Sequence, residues 1–300
     1  MPLRWNSSAF GTRRIPQNMA SASGLWSLRD AAIYERGKQW KSIDFSQFPQ
    51  LSLWLDASDS STLFDATTGG SAVAADGAVA RWEDKSGNRL HVAQPTANNR
   101  PLRRTSQFNG RDALEFDGSN DSFAFSSSTL LVAGSIASNH TYSMFAVANA
   151  DAVGTNNANS WTNDAIWGEG GSLASLFLRS NNTVGAYNYD GSDDNATASY
   201  TAGALAMFGS ELSGGSIRIR VNGGSETATA SGTNTGMQAF NLGRQGNTDT
   251  TTFDGRIAEI IFFRQALNAG QRQVIEGYLA HKWGLVNDLP ATHPYKNVVP

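Results

Sequence analysis

The chain of 300 residues contains no cysteine. That excludes a disulfide framework, a thiolate metal site and a cysteine nucleophile, so stability has to come from packing or assembly. Charge is also sparse: Asp, Glu, Lys and Arg make up 16% of the residues, and the net charge is −3. No run approaches the roughly 18–20 apolar residues of a membrane-spanning helix. Residues 1–10 lack the apolar stretch of a secretory signal. The histidines His91, His140, His281 and His293 form no i, i+4 pair. No phosphate-cradling glycine motif, nucleophile elbow or basic stripe is present, so nucleic acid is not an expected partner.

What is present suits sheets joined by polar loops: 30 glycines, abundant Ala, Ser, Thr and Asn, and a hydrophobic fraction of 40%, enough for a sizeable core. Charge divides the chain. Seven basic against three acidic residues before residue 49 leave a net +4 there and −7 for the remainder. Two regions are therefore expected, an arm with a short helix at 1–48 and a β-rich body at 49–300. The arm carries Pro2, Gly11 and Pro16, and a helix over 24–37 would present Leu25, Trp26, Leu28 and Tyr34 on a partly apolar face. A helix this short needs a partner to bury that face, either the body of its own chain or another protein.

From residue 51 the pattern becomes short alternating runs divided by Gly, Asn, Asp and Ser, with strands expected near 51–55, 113–116, 122–125, 142–148, 175–179, 184–189, 204–208, 216–221, 226–230, 239–242 and 256–263. About a dozen such runs argue for an antiparallel sandwich. The clearest is Ile217-Arg218-Ile219-Arg220-Val221 before Asn222-Gly223, a hairpin signal whose two arginines are expected to face solvent. The final strand leads to Asn268 and Gln271, a capping box opening an amphipathic helix over 268–285.

Several motifs follow one another in the order seen in laminin-G-like domains of the concanavalin A type. They are Trp54-Leu55-Asp56-Ala57-Ser58-Asp59, Trp82-Glu83-Asp84-Lys85-Ser86-Gly87-Asn88, Leu114-Glu115-Phe116-Asp117-Gly118-Ser119-Asn120-Asp121, Gly255 to Leu267, Glu276 to Leu285 and Leu289 to Tyr295. The chain resembles that family over residues 49–295. The resemblance implies an all-β concanavalin A-like sandwich with a C-terminal helix, and contact with glycans or cell surfaces. The stretch from Arg4-Trp5 to Arg29 is similar to N-terminal segments of tailed-phage structural proteins, notably of phages that infect cyanobacteria. Together with the lack of an export signal, it implies a virion protein on the particle exterior. Trp5, Leu25, Trp26, Leu28 and Tyr34 would attach it to other virion proteins, in a homo-oligomer of the tail-fibre or receptor-binding type. A capsid decoration protein with a purely structural sandwich, and a bacterial sugar-binding or sugar-active surface protein, are the alternatives.

Glycan recognition pairs an aromatic platform with amides and carboxylates. Trp161, Asn163, Asp164, Trp167, Tyr187, Tyr189 and Asp190 are the candidates, with 156–171 the most loop-like aromatic region. Asp84, Asp117 and Asp121 are the candidate metal ligands, and calcium is the ion such oxygens would take, although no EF-hand spacing occurs. No other cofactor is expected. Asp84 to Asn88 also reads simply as a turn. Glu115 and Asp117 share a strand face, as a glycosidase pair would. The third acid of the glucanase pattern is missing, so the expectation is a non-enzymatic protein. Glu259 lacks an acidic neighbour and is expected to pair with Arg256 or Arg264.

Overall fold

A computed structural model describes residues 43–125, 141–151, 164–169, 174–179, 182–232, 240–246 and 252–300. The expected helix at 24–37, the attachment residues Trp5, Leu25, Trp26, Leu28 and Tyr34, and the candidate ligands Trp161 and Asn163 lie outside them. The described residues form strands β1 (Leu51–Asp56), β2 (Leu63–Phe64), β3 (Arg81–Trp82), β4 (Val92–Ala93), β5 (Leu102–Phe108), β6 (Arg111–Asp117), β7 (Phe123–Ala124), β8 (Tyr142–Ala150) and β9 (Ala165–Glu169). Then come β10 (Ala174–Arg179), β11 (Thr183–Tyr189), β12 (Asp193–Ser199), β13 (Leu205–Ser213), β14 (Ser216–Val221), β15 (Thr227–Ala230), β16 (Phe240–Leu242), β17 (Asp254–Phe263) and helix α1 (Ala269–Trp283).

Two antiparallel sheets face each other, as the alternating runs require. One runs β15-β14-β13-β8-β17-β6-β5, with β1 beside β17; the other runs β12-β11-β10-β9-β16-β7-β4-β3-β2. The main core lies between them and holds Trp82, Phe116, Phe123, Tyr142, Trp167, Phe208 and Phe262. A second apolar layer, with Phe145, Ile261, Phe263, Ile275, Leu279 and Trp283, lies between the eight-stranded sheet and α1. The molecule thus has three layers, which explains why β17 reads as a nearly unbroken apolar run.

A strict alternation along β17 would send Ile257 inward and Ile260 outward. Instead, Ile257 and Glu259 stand opposite the adjacent residues Ala148 and Val147, so Ala258 is the extra residue of a β-bulge. The bulge shifts the phase: Ile260 and Phe262 enter the main core, while Ile261 and Phe263 meet the helix layer. Each such buried side chain stabilises by about 1.5–3 kcal/mol over exposure.

Helix α1 begins as expected. Asn268 Oδ1 accepts from Gln271 N at 2.9 Å, and Gln271 Oε1 accepts from Asn268 N at 3.2 Å. It ends at Gly284, whose φ of 81° gives the left-handed cap. Residues 286–300 then cross back over the helix. Gly277 makes room for them, since a Cβ there would lie 2.5 Å from Tyr295 Cβ. His293 Nε2 meets Glu276 Oε2 at 3.2 Å, and the Lys296 ammonium donates to the carbonyls of Val286, Asn287 and Leu289.

This cover corrects the solvent-facing placement of Arg220. It is 8% exposed and paired with Glu226, because the outer face of β14 lies under the helix and tail. Arg218 pairs with Glu226 and Glu211. Glu259 is corrected as well: its partner is Lys282, at 2.8 Å, not an arginine. Its Oε1 accepts from Trp54 Nε1 and Tyr278 Oη at 2.6 and 2.9 Å, and its Oε2 accepts from Trp283 Nε1 at 2.6 Å. An acidic neighbour does exist. Lys282 also bonds Asp56 at 2.7 Å, across the β1–β17 pairing. Burial alone would raise Asp56, but Lys282 and Lys85 hold it at about 2. Burial raises Glu259, with Lys282 opposing.

The sheet edges are covered in part. Segment 76–79 bonds β5 through Val79 N to Pro101 O and Arg103 N to Gly77 O, and segment 71–73 bonds β2 through Val73 N to Leu63 O. At the other side β12 and β15 face each other, with Thr229 Oγ1 donating to Asn195 O.

Candidate functional site

Side chains directly opposite in antiparallel pairs share a face, so the register of the nine-stranded sheet defines rows across it. One row runs Asn195, Tyr187, Ser175, Gly168, Asn241, Ala124, Ala93, Arg81, Phe64, one residue from each strand in turn. The chain neighbours of these residues enter the core, for example Trp167, Leu242, Phe123, Val92 and Trp82, so the row points outward. Its middle is small: Ser, Gly, Asn, Ala, Ala. One wall is Tyr187 with Phe177, and the other is Phe64 with the Arg81 guanidinium stacked 4.3 Å from its ring centre. The row is thus the floor of a channel across the sheet.

Most of the channel is closed over, its walls at Tyr187, Phe177 and Arg81 included. Ala93 and Ala124 are half-buried, whereas Ser175 and Asn241 are fully buried. Gly168 lies beneath Gln245, and a Cβ on it would come within 2.7 Å of Gln245 Cα. Segment 243–246 is held down by Asn241 Nδ2, which donates to Gly246 O at 2.8 Å. Ser175 Oγ and Asn241 Oδ1 are buried without a hydrogen-bond partner. Asn195 Oδ1, in the same row, is a third; an unmet buried polar group costs about 1–3 kcal/mol, so three of them in one row call for a physical reason.

The structure divides the expected ligand residues. Tyr187 and Tyr189 lie on this outer face, but Tyr187 is corrected from platform to packing: it is 2% exposed, clustered with Phe177 and Ala165, with its Oη donating to Asp193 Oδ1 at 2.7 Å, whereas Tyr189 is an exposed aromatic. Asp190, at the adjoining turn, accepts from Ser192 N and Gly232 N, which lower its pKa together with the Ser192 hydroxyl. Trp167 is corrected from platform to core. It stacks on Phe240 at 5.2 Å and is fully buried, because its region is a central strand and not a loop. Asp164 is at the start of β9, at one end of the sandwich, where burial and Asp254 raise it to about 6.

That end gathers Asp117, Asp121, Asp151, Asp254 and Glu115. Burial and Asp117 push Asp121 up to about 7. Arg256 answers part of this charge, bonding Glu115 and Asp151 at 2.9 Å each. Glu115 is also bonded by Arg104, so it is clamped between two guanidiniums. Asp117 Oδ1 accepts from the backbone of Ser119, Asn120 and Asp121. Asp84 is elsewhere, and its oxygens are filled by Trp54 N, Ser86 N, Ser86 Oγ and Leu90 N, as the turn reading requires. The three expected metal ligands do not converge, and among the described residues no group of three His, Asp or Glu is arranged to hold a metal.

The architecture defines the chain as an antiparallel β-sandwich with a packed C-terminal helix. It is similar to the binding domain of Paraclostridial Mosquitocidal Protein 1, with 11% identity over 76% of this chain and 52% of that one, and a TM-score of 0.52. It is also similar to Trypanosoma rangeli sialidase, with 13% identity over 78% of this chain and 33% of that one, and a TM-score of 0.50. The chain therefore spans about half the length of the first and a third of the second. No protein-family model and no curated protein matches it.

Proposed function

We propose that the chain is a non-enzymatic glycan-binding sandwich of a phage particle, attached through residues 1–48 and presenting residues 49–300 to the host surface. The observation that carries the glycan part is the outward channel of small residues between Tyr187 and the Phe64–Arg81 pair. A polysaccharide needs a long floor that lets its rings approach backbone and amides, flanked by aromatic surface. The sandwich fold shared with the binding domain of Paraclostridial Mosquitocidal Protein 1 supports the reading, as does the engagement of Glu115 by Arg104 and Arg256, which leaves no free acid–base pair with Asp117. The particle and the arm's role rest on the arm's charge and composition.

Binding of the full chain to host-cell envelope fractions tests the reading. Retention that periodate oxidation of the envelope glycans abolishes is the expected result. Failure to bind any envelope fraction would leave the decoration role, with a purely structural sandwich. Release of reducing sugar from those fractions, lost in Glu115→Gln, would overturn the non-enzymatic assignment.

A further inference from the structure

Three adjacent strands place Ser175, Gly168 and Asn241 side by side on the outer face of the nine-stranded sheet. Ser175 and Asn241 are two strand spacings apart, roughly 10 Å between backbones. Both residues are buried, and Ser175 Oγ and Asn241 Oδ1 each lack a partner. Gly168 contributes no side chain between them, and its space is taken by Gln245 from segment 243–246. A fold does not gain from two orphaned polar atoms flanking a glycine gap. A ligand with hydroxyl groups does.

We propose that this gap is a subsite for an uncharged sugar ring, closed by Gln245 in the free protein and opened when Gln245 and Gly246 swing aside. This deepens the glycan reading and rests on it. The Ser175 hydroxyl donates and accepts, and the Asn241 carbonyl accepts, which matches sugar hydroxyls as both acceptors and donors. Charge favours a neutral sugar over an anionic one, although Arg244 adjoins Gln245. Arg81, in the same row, is engaged by Glu83 Oε1, the Ala66 carbonyl and the Phe64 ring. The carboxylates Asp190, Asp193 and Asp194 stand at the Tyr187 end. A sialic acid carboxylate would enter a field of its own sign.

The experiment compares the full chain with its Ser175→Ala variant by affinity electrophoresis in gels containing dextran, mannan or galactan, with 3′-sialyllactose as a soluble competitor, alongside thermal unfolding. At least one neutral polysaccharide should retard the wild type. Ser175→Ala should bind it at least about tenfold more weakly while its Tm stays the same or rises, because the substitution removes an unmet buried hydroxyl. Sialyllactose should not compete. A Tm lowered by several degrees would show that the hydroxyl serves the fold and would overturn the subsite. Unchanged polysaccharide binding by a well-folded Ser175→Ala would do the same while leaving the glycan reading intact. Competition by sialyllactose would overturn the neutral-sugar assignment. If no gel retards the wild type, the glycan reading fails, and the subsite with it.

Discussion

Replacing Glu259 by Gln tests the pin that joins β1, β17 and α1. In the wild type one carboxylate oxygen accepts from Trp54 Nε1 and Tyr278 Oη, and the other accepts from Lys282 Nζ and Trp283 Nε1. In the Glu259→Gln variant the amide oxygen keeps two donors, while the amide nitrogen confronts the other two. Two buried bonds are lost at about 1–3 kcal/mol each. A broken buried ion pair costs about 3–5 kcal/mol. Two facts lower the figure: Lys282 keeps Asp56 at 2.7 Å, and burial already disfavours the Glu259 charge. The expected loss is about 3 kcal/mol, measured by urea unfolding followed through tryptophan fluorescence, with a Tm lower by about 6–12 °C. Lys282→Met should cost more, since it leaves the buried Glu259 carboxylate without a counter-ion and Asp56 with Lys85 alone. The double substitution should cost less than the sum, with a coupling of about 0.5–3 kcal/mol. Glycan binding per folded molecule should be unchanged, because the pin faces α1 and the channel lies on the far side of the other sheet. A loss below about 1 kcal/mol, or intact stability with impaired binding, would refute the reasoning.

Other outcomes follow from the same geometry. Trp167→Ala should destabilise by about 3–5 kcal/mol in urea unfolding, the cost of emptying a core aromatic site; lost binding without lost stability would return it to the ligand surface. Gly243→Ala should cost at least about 2 kcal/mol, since φ is 79° and the new Cβ would lie 2.4 Å from Phe116 Cδ1. Gly69→Ala, with φ of 60° and open space, should cost only about 1 kcal/mol, both glycine variants being measured by urea unfolding. Asp121 at about 7 and Asp164 at about 6 lie above their ordinary value of 3.8, so the folded protein holds protons that the unfolded chain has released. Their contribution is complete below about pH 4 and is lost as pH rises through about 6 to 7. Tm should fall over that window, and Asp121→Asn should flatten the fall; a slope unchanged in the variant would refute the assignment.

The elements legible in the sequence are those whose signal is local. The 216–221 strand with Asn222-Gly223, and the Asn268–Gln271 capping box, state their conformation within a few residues, and both appear as expected. Strands β9 and β12 carry no such signal. Asp193–Ser199 has none of the bulky apolar or aromatic residues that favour strands, and it is extended because β11 offers its backbone a partner. Ala165–Glu169 carries Gly168, a weak strand residue that here makes room for Gln245. Arg220 and Glu259 depart from expectation because α1 and the tail cover a face that a two-layer sandwich would leave wet. The channel is hidden in the sequence because its floor draws one residue from each of several strands. A trace exists in Phe123-Ala124-Phe125 and Phe240-Asn241-Leu242, where a small outward residue sits between large inward ones.

The covered edges of the two sheets bear on how many copies of the protein can share one surface. An exposed strand is a template onto which a neighbouring copy can add its own backbone, and crowding makes that reaction faster. Here the outer rim of β2 and the first two residues of β5 are occupied by the chain's own 71–79 segment, and β12 and β15 turn toward each other. Among the described residues, the free strand edge left for a neighbouring copy is therefore short, chiefly residues 104–108 of β5.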